Sequence, residues 1–212
     1  MANQLENQTK NETENQTVNR VAAIQRKTKE TEIELELNLD GEGKTELETS
    51  IPFLEHMLDL FAKHGKFDLR VKAIGDIEID DHHTAEDIAI CLGQAFYQAL
   101  GSKEGINRYG MSYVPMDEAL AQVIIDLSNR PHLEYRVELP NTNVGSFDVE
   151  LVHEFLWKFA LEGRFTSHVI LHYGRNTHHM IEAIFKALGR ALNEATQINP
   201  NQKGIPSSKG VL

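Results

Sequence analysis

The pattern His-His-x-x-Glu occurs twice, at His82-His83-Thr84-Ala85-Glu86 and at His178-His179-Met180-Ile181-Glu182, 96 residues apart. His56 and His153 repeat at a spacing of 97, and Gly65-Lys66-Phe67 and Gly163-Arg164-Phe165 at 98. Three landmarks at a near-constant offset mark an internal duplication. Such a chain has to fold as two copies of one supersecondary unit.

The unit can be read from hydrophobic periodicity. Ile33, Leu35, Leu37 and Leu39 alternate with polar residues, the period of a half-buried strand. Asp40-Gly41 reads as a hairpin turn into a strand over 44–49. Gly41-Glu42-Gly43-Lys44-Thr45 lacks the first glycine of a phosphate-binding loop, because position 38 is Asn. Pro52 opens a helix that ends near Gly65, with Phe53, Met57, Leu60 and Phe61 at helical spacing. A strand over 67–74 and a helix from Asp81 to Leu100 follow, with Asp80 or Asp81 as cap and Gly101 as stop. The second half predicts strands over 110–115, 119–127 and 132–139, a helix from 148 to 161, a strand over 165–173 and a helix over 177–195 capped by Asn176. Each half thus reads β-β-β-α-β-α, and the fold class is α/β of the α+β type, each half a sheet covered by two helices. The expected boundaries are a disordered polar leader over 1–19, halves over 20–105 and 106–200, and a tail over 201–212.

The leader places Asn at 3, 7, 11, 15 and 19 and has only four apolar residues, so it cannot be a signal-peptide core. No apolar run approaches the length of a membrane span. With 21 Lys and Arg against 32 Asp and Glu, the net charge is −11, which argues against nucleic acid or an anionic membrane as partner. The single cysteine, Cys91, allows no internal disulfide and suits a reducing cytoplasm. It lies on an apolar helical run and reads as core packing.

The duplicated motif carries the chemistry. On a helix the first His and the Glu are four residues apart and the second His and the Glu three apart, and either pair can share a face. Adjacent histidines diverge by about 100°, so both cannot simply ligate one ion, and a two-ion site follows. His56, His82, His83, His153, His178 and His179 use six of the ten histidines. With Glu86 and Glu182 they give eight donors, enough for two ions with four protein ligands each. Imidazole with carboxylate suits manganese, iron, cobalt, nickel or zinc, and the absence of thiolate ligands disfavours structural zinc. The common zinc-protease patterns fail: position 157 is Trp after His153-Glu154, and position 87 is Asp after His83-x-x-Glu86.

Five stretches together resemble the imidazoleglycerol-phosphate dehydratase family. They are Phe53-Leu-Glu-His-Met-Leu-Asp59, Asp81-His-His-Thr-Ala-Glu-Asp87, Ser128-Asn-Arg-Pro131, Asn176-Thr-His-His-Met-Ile-Glu182 and Pro206-Ser-Ser-Lys-Gly210. The resemblance runs from about Arg20 to the C-terminus. It implies dehydration of imidazole glycerol phosphate to imidazole acetol phosphate in histidine biosynthesis, with two manganese ions per subunit. It also implies a homo-oligomeric shell of 24 subunits with active sites at subunit interfaces. No Asp-x-Asp-x-Thr stretch is present, so the monofunctional form is expected. Metal-bound imidazole loses its ring proton readily, and imidazolate can push out the neighbouring hydroxyl.

The resemblance also gives roles to residues that are ambiguous alone. Glu30, by spacing a solvated strand-end charge, becomes the catalytic acid/base. His64, by position a helix-end charge partner, becomes a substrate contact. Arg108 and Arg130 flank strands, and their planar forks suit phosphate. Ser207, Ser208 and Lys209, otherwise a loose terminus, become a phosphate clamp. Two other readings compete. A metal-storage shell has no use for the arginines and the tail, and a dimetal phosphoesterase calls for carboxylate-rich ligation.

Overall fold

The computed structural model describes residues 20–212, and the expected disordered leader lies outside the described residues. The first half runs β1 (Val21–Lys27), β2 (Thr31–Asn38), β3 (Thr45–Glu48), α1 (Pro52–Gly65), β4 (Asp68–Gly75) and α2 (His82–Leu100). The second half runs β5 (Tyr109–Met116), β6 (Ala119–Asp126), β7 (His132–Arg136), β8 (Asn143–Val144), β9 (Phe147–Asp148), α3 (Glu150–Gly163), β10 (Thr166–Tyr173) and α4 (Thr177–Thr196). The two main sheets have the same order, β1-β2-β4-β3 and β5-β6-β10-β7. The duplicated α/β class expected from the repeat is the observed one.

Two expectations need correction. Asp40-Gly41 does turn the chain, but β2 and β3 do not pair with each other. β4 lies between them, antiparallel to β2 and parallel to β3. Asp68, at the start of β4, accepts the Glu42 and Lys44 amides at 2.8 and 3.0 Å and so holds the turn open. The third strand of the second half stops at Arg136 rather than 139. Residues 137–149 carry the small β8–β9 hairpin, so that half is not a plain β-β-β-α-β-α unit. The helix then starts at Glu150, whose amide bonds the Asp148 carboxylate at 2.9 Å.

The helices form a layer between the sheets. α2 covers β1 and β2, α4 covers β5 and β6, and the halves meet through α1 on α4 and α2 on α3. Phe61, Phe67, Phe96, Phe159 and Phe165 interlock edge-to-face at the centre, with rings from both halves. The duplication extends to the helix ends. α1 and α3 both stop at a left-handed residue, Lys66 and Arg164, whose amides bond the last carbonyls. Cys91 is fully buried, and burial pushes its thiol up to about 12. No helix among the described residues is long and apolar enough to cross a membrane.

Candidate metal and substrate site

α1 and α4 bring His56, His178 and Glu182 together. His56 Nε2 and His178 Nε2 both donate to Glu182 Oε1, at 2.9 and 3.0 Å. Lys186 Nζ donates to Glu182 Oε2 at 2.7 Å. Burial pushes the Glu182 carboxyl up, but the bonds from Lys186, His56 and His178 outweigh it and hold it at about 2. The ligand atoms of His56, His178 and Glu182 lie within 4.8 Å of one another, close enough to share one ion.

α2 and α3 form the counterpart. His82 and Glu86 gather with Glu154, also within 4.8 Å. Lys158 bridges Glu86 and Glu154 at 2.8 and 3.4 Å. His153 stands beside Glu154 and lines the same cavity of about 840 Å³ as His82. Its ring meets the edge of Tyr135, 4.9 Å between centroids.

The second histidine of each motif turns away from its neighbour, as the 100° step requires. Ring centroids are 6.3 Å apart in both His82–His83 and His178–His179, at 79° and 80°. His83 Nδ1 donates to Asp76 at 3.0 Å, and His179 Nδ1 to Glu118 at 2.8 Å. These bonds raise the pKa of both rings. Of the eight expected donors, five fall in the two groups, His83 and His179 are held separately, and His153 lines the cavity beside the second group, where Glu154 takes the third place.

The remaining expected residues fall in two places. Glu30 is exposed in the β1–β2 turn, beside Asp76, whose amide bonds the Glu30 carbonyl at 3.1 Å. After Asp76 itself, Glu30 adds to the field that raises His83. His64 lies two turns beyond His56 on α1. Burial, then the charges of Lys186 and Arg190, lower its pKa. Arg108, Arg130 and the tail gather at the other end of the second sheet. Arg108 donates to both oxygens of Asp126, at 2.7 and 3.2 Å, and to the Pro206 carbonyl at 2.8 Å. Arg130 reaches the same carboxylate at 3.4 Å. Ser207 follows the anchored Pro206, while Ser208 and Lys209 stay exposed.

Sequence reasoning missed Glu154, Asp76, Glu118, Asp126, Lys158 and Lys186. Helical spacing alone offered Glu154–Lys158 and Glu182–Lys186 as four-residue pairs. Asp76 lies seven residues before His83 with no periodic relation to it, and Glu118 and Asp126 are joined to the site by tertiary approach.

The model for imidazoleglycerol-phosphate dehydratase matches residues 49–192. The imidazoleglycerol-phosphate dehydratase of Geobacillus sp. strain WCH70 is 70% identical over 193 residues, covering 91% of this chain and 99% of that protein. The Bacillus subtilis strain 168 protein of the same name is 67% identical, covering 91% and 100%. The crystal structure of the Staphylococcus aureus dehydratase superposes with a TM-score of 0.76 at 41% identity, covering 82% of this chain and 97% of that one. A Pyrococcus furiosus structure in complex with (S)-C348 gives 0.77 at 39% identity, covering 89% and 100%.

Proposed function

The chain belongs to the imidazoleglycerol-phosphate dehydratase family, hydro-lyases of histidine biosynthesis, and on that premise we propose which residues carry the reaction. Its substrate is imidazole glycerol phosphate and its product imidazole acetol phosphate. His56, His82, His83, Glu86, His153, His178, His179 and Glu182 would hold two manganese ions per subunit. The donor chemistry fits: imidazole nitrogens and carboxylate oxygens, without thiolate, suit a first-row divalent ion. The two ions would supply Lewis acidity that stabilises the substrate ring as imidazolate.

The chain's own groups do the rest. Glu30, an exposed carboxylate beside His83, takes up the carbon-bound proton as water is lost. His64 borders the ring site and contacts substrate. Arg108, Arg130, Ser207, Ser208 and Lys209 bind the phosphate. Asp126 sets the plane of the Arg108 guanidinium and meets one nitrogen of Arg130, and Arg108 fixes the root of the tail through the Pro206 carbonyl.

One observation carries the reading further. His178 stands at the start of α4, and the Arg108 amide bonds the Ala195 carbonyl at its end. At about 1.5 Å per residue these points are about 25 Å apart. The three-carbon side chain of the substrate cannot span that distance. This supports a site in which the phosphate-binding residues of one copy serve the imidazole ligands of another; the cytoplasmic homo-oligomer of 24 subunits is proposed on the family resemblance alone.

The test is direct. Purified protein is stripped with chelator, reloaded with manganese, and assayed for imidazole acetol phosphate. Activity returning with two manganese ions per subunit by elemental analysis supports the reading, and one ion or none contradicts it. The storage reading leaves Arg108, Arg130 and the tail without purpose. The phosphoesterase reading conflicts with six imidazoles among eight donors.

A further inference from the structure

We infer that Asp76 and Glu118 are positioning residues of the metal site, each holding one outward-turned imidazole, His83 and His179 respectively, with Nε2 presented as the donor. The inference rests on the proposal that these two histidines are ligands. A ring whose Nδ1–H is committed to a carboxylate keeps its lone pair on Nε2 and cannot swing freely.

The two carboxylates are not related by the duplication. Asp76 follows β4, while Glu118 ends the β5–β6 turn. The positional counterpart of Glu118 is Glu30, which likewise stands immediately before the second strand of its half. The two halves have diverged in how they use this glutamate. In the second half Glu118 is fixed on three sides: Oε2 accepts from His179 Nδ1, and Oε1 accepts the Arg175 and Asn176 amides at 3.1 and 2.7 Å. Asn176 in turn caps α4 by accepting the His178 amide at 3.0 Å and the His179 amide at 3.5 Å. The start of α4 and the His179 ring are therefore held by one connected set of bonds.

In the first half the same task falls to Asp76. Its Oδ2 and Oδ1 lie 3.0 and 3.2 Å from His83 Nδ1. The Glu30 carboxylate has no hydrogen-bond partner among the described residues, so it is not tied to holding a ring. This division explains how a duplicated chain can have one glutamate for orientation and its twin for proton transfer. A Gln at 118 has one acceptor oxygen where two are used, and an Asn at 76 loses the charge that orders the His83 tautomer.

The experiment measures Mn²⁺ binding to the full-length assembled protein from the electron paramagnetic resonance signal of free Mn²⁺. Glu118→Gln and Asp76→Asn are each expected to weaken binding about 10- to 100-fold. Glu30→Gln should bind as the parent does. Glu118→Asp and Asp76→Glu keep the charge but displace the carboxylate, and should fall between parent and amide variants. They also serve if an amide variant fails to assemble. Parent-like affinity in the Glu118 and Asp76 variants would overturn the inference, as would equal weakening in Glu30→Gln. If the parent itself binds no Mn²⁺, the metal-site proposal fails and this inference falls with it.

Discussion

Gly189 on α4 lies against the Phe61 carbonyl of α1: a Cβ there would sit 2.3 Å from that oxygen and 3.0 Å from the Gly65 amide nitrogen. The missing side chain is what lets the two helices approach closely enough for His56 to meet Glu182. Gly93, 96 residues earlier, does the same for α2 against α3, where a Cβ would lie 2.8 Å from the Gly163 nitrogen and 2.9 Å from the Phe159 carbonyl. Gly189→Ala should cost about 1–3 kcal/mol, as overpacking does. It should also weaken Mn²⁺ binding, although no ligand is removed. A denaturation midpoint and a metal titration check both; a parent-like result in both would mean the contact does not set the site.

Arg108 is expected to act through its fork rather than its charge alone. Arg108→Lys keeps the charge but loses the paired bonds to Asp126 and the hold on the Pro206 carbonyl. Hydrogen bonds to charged groups contribute about 1.5–3 kcal/mol. KM should therefore rise about tenfold or more, with a smaller change in kcat. An unchanged KM would remove Arg108 from the phosphate site.

Deleting residues 207–212 removes two hydroxyls and an ammonium just beyond the anchored Pro206. Loss of one charge-assisted bond predicts a KM at least about tenfold higher. The melting temperature should barely move, because Ser208 and Lys209 are exposed. Steady-state kinetics at saturating manganese would make the comparison.

Lys103 gives a prediction for stability against pH. It is 2% exposed, and its Nζ donates to the Leu127 carbonyl at 3.3 Å and to Asn129 at 2.5 Å. Burial lowers its pKa from the ordinary 10.5 to about 8. Between these values the unfolded chain holds more protons, so this group makes stability rise with pH across that window. The urea midpoint of the parent relative to Lys103→Met should climb from pH 8 to 10.5. A difference independent of pH would show that Lys103 titrates normally.

The duplication was legible because its landmarks sit on helices, where the histidines, glutamates and terminal glycines recur at a fixed offset. The 100° step between adjacent residues likewise anticipated the divergence of His83 from His82. Strand order was not legible. β3 pairs with β4 in parallel across a helix, and local alternation cannot distinguish that from a hairpin with β2. β8 and β9 have two residues each, too few to show a period. Asp76, Glu118 and Asp126 carry no periodic pattern; Asp76 reaches His83 from seven residues away across the turn into α2, and Glu118 reaches His179 from a distant segment. The roles expected for Glu30 and the tail came from the family resemblance rather than from spacing.

The central claim is that a complete site draws on more than one copy of the chain. It is tested most directly by mixing His82→Asn subunits with His178→Asn subunits, each inactive alone, after dissociation and reassembly with manganese. Mass spectrometry establishes that mixed oligomers have formed. If the His82–Glu86 group of one copy meets the His178–Glu182 group of another, some sites are intact at both positions and dehydratase activity partly returns. Mixed oligomers with no activity would mean that each site takes both motifs from one chain, contradicting the account.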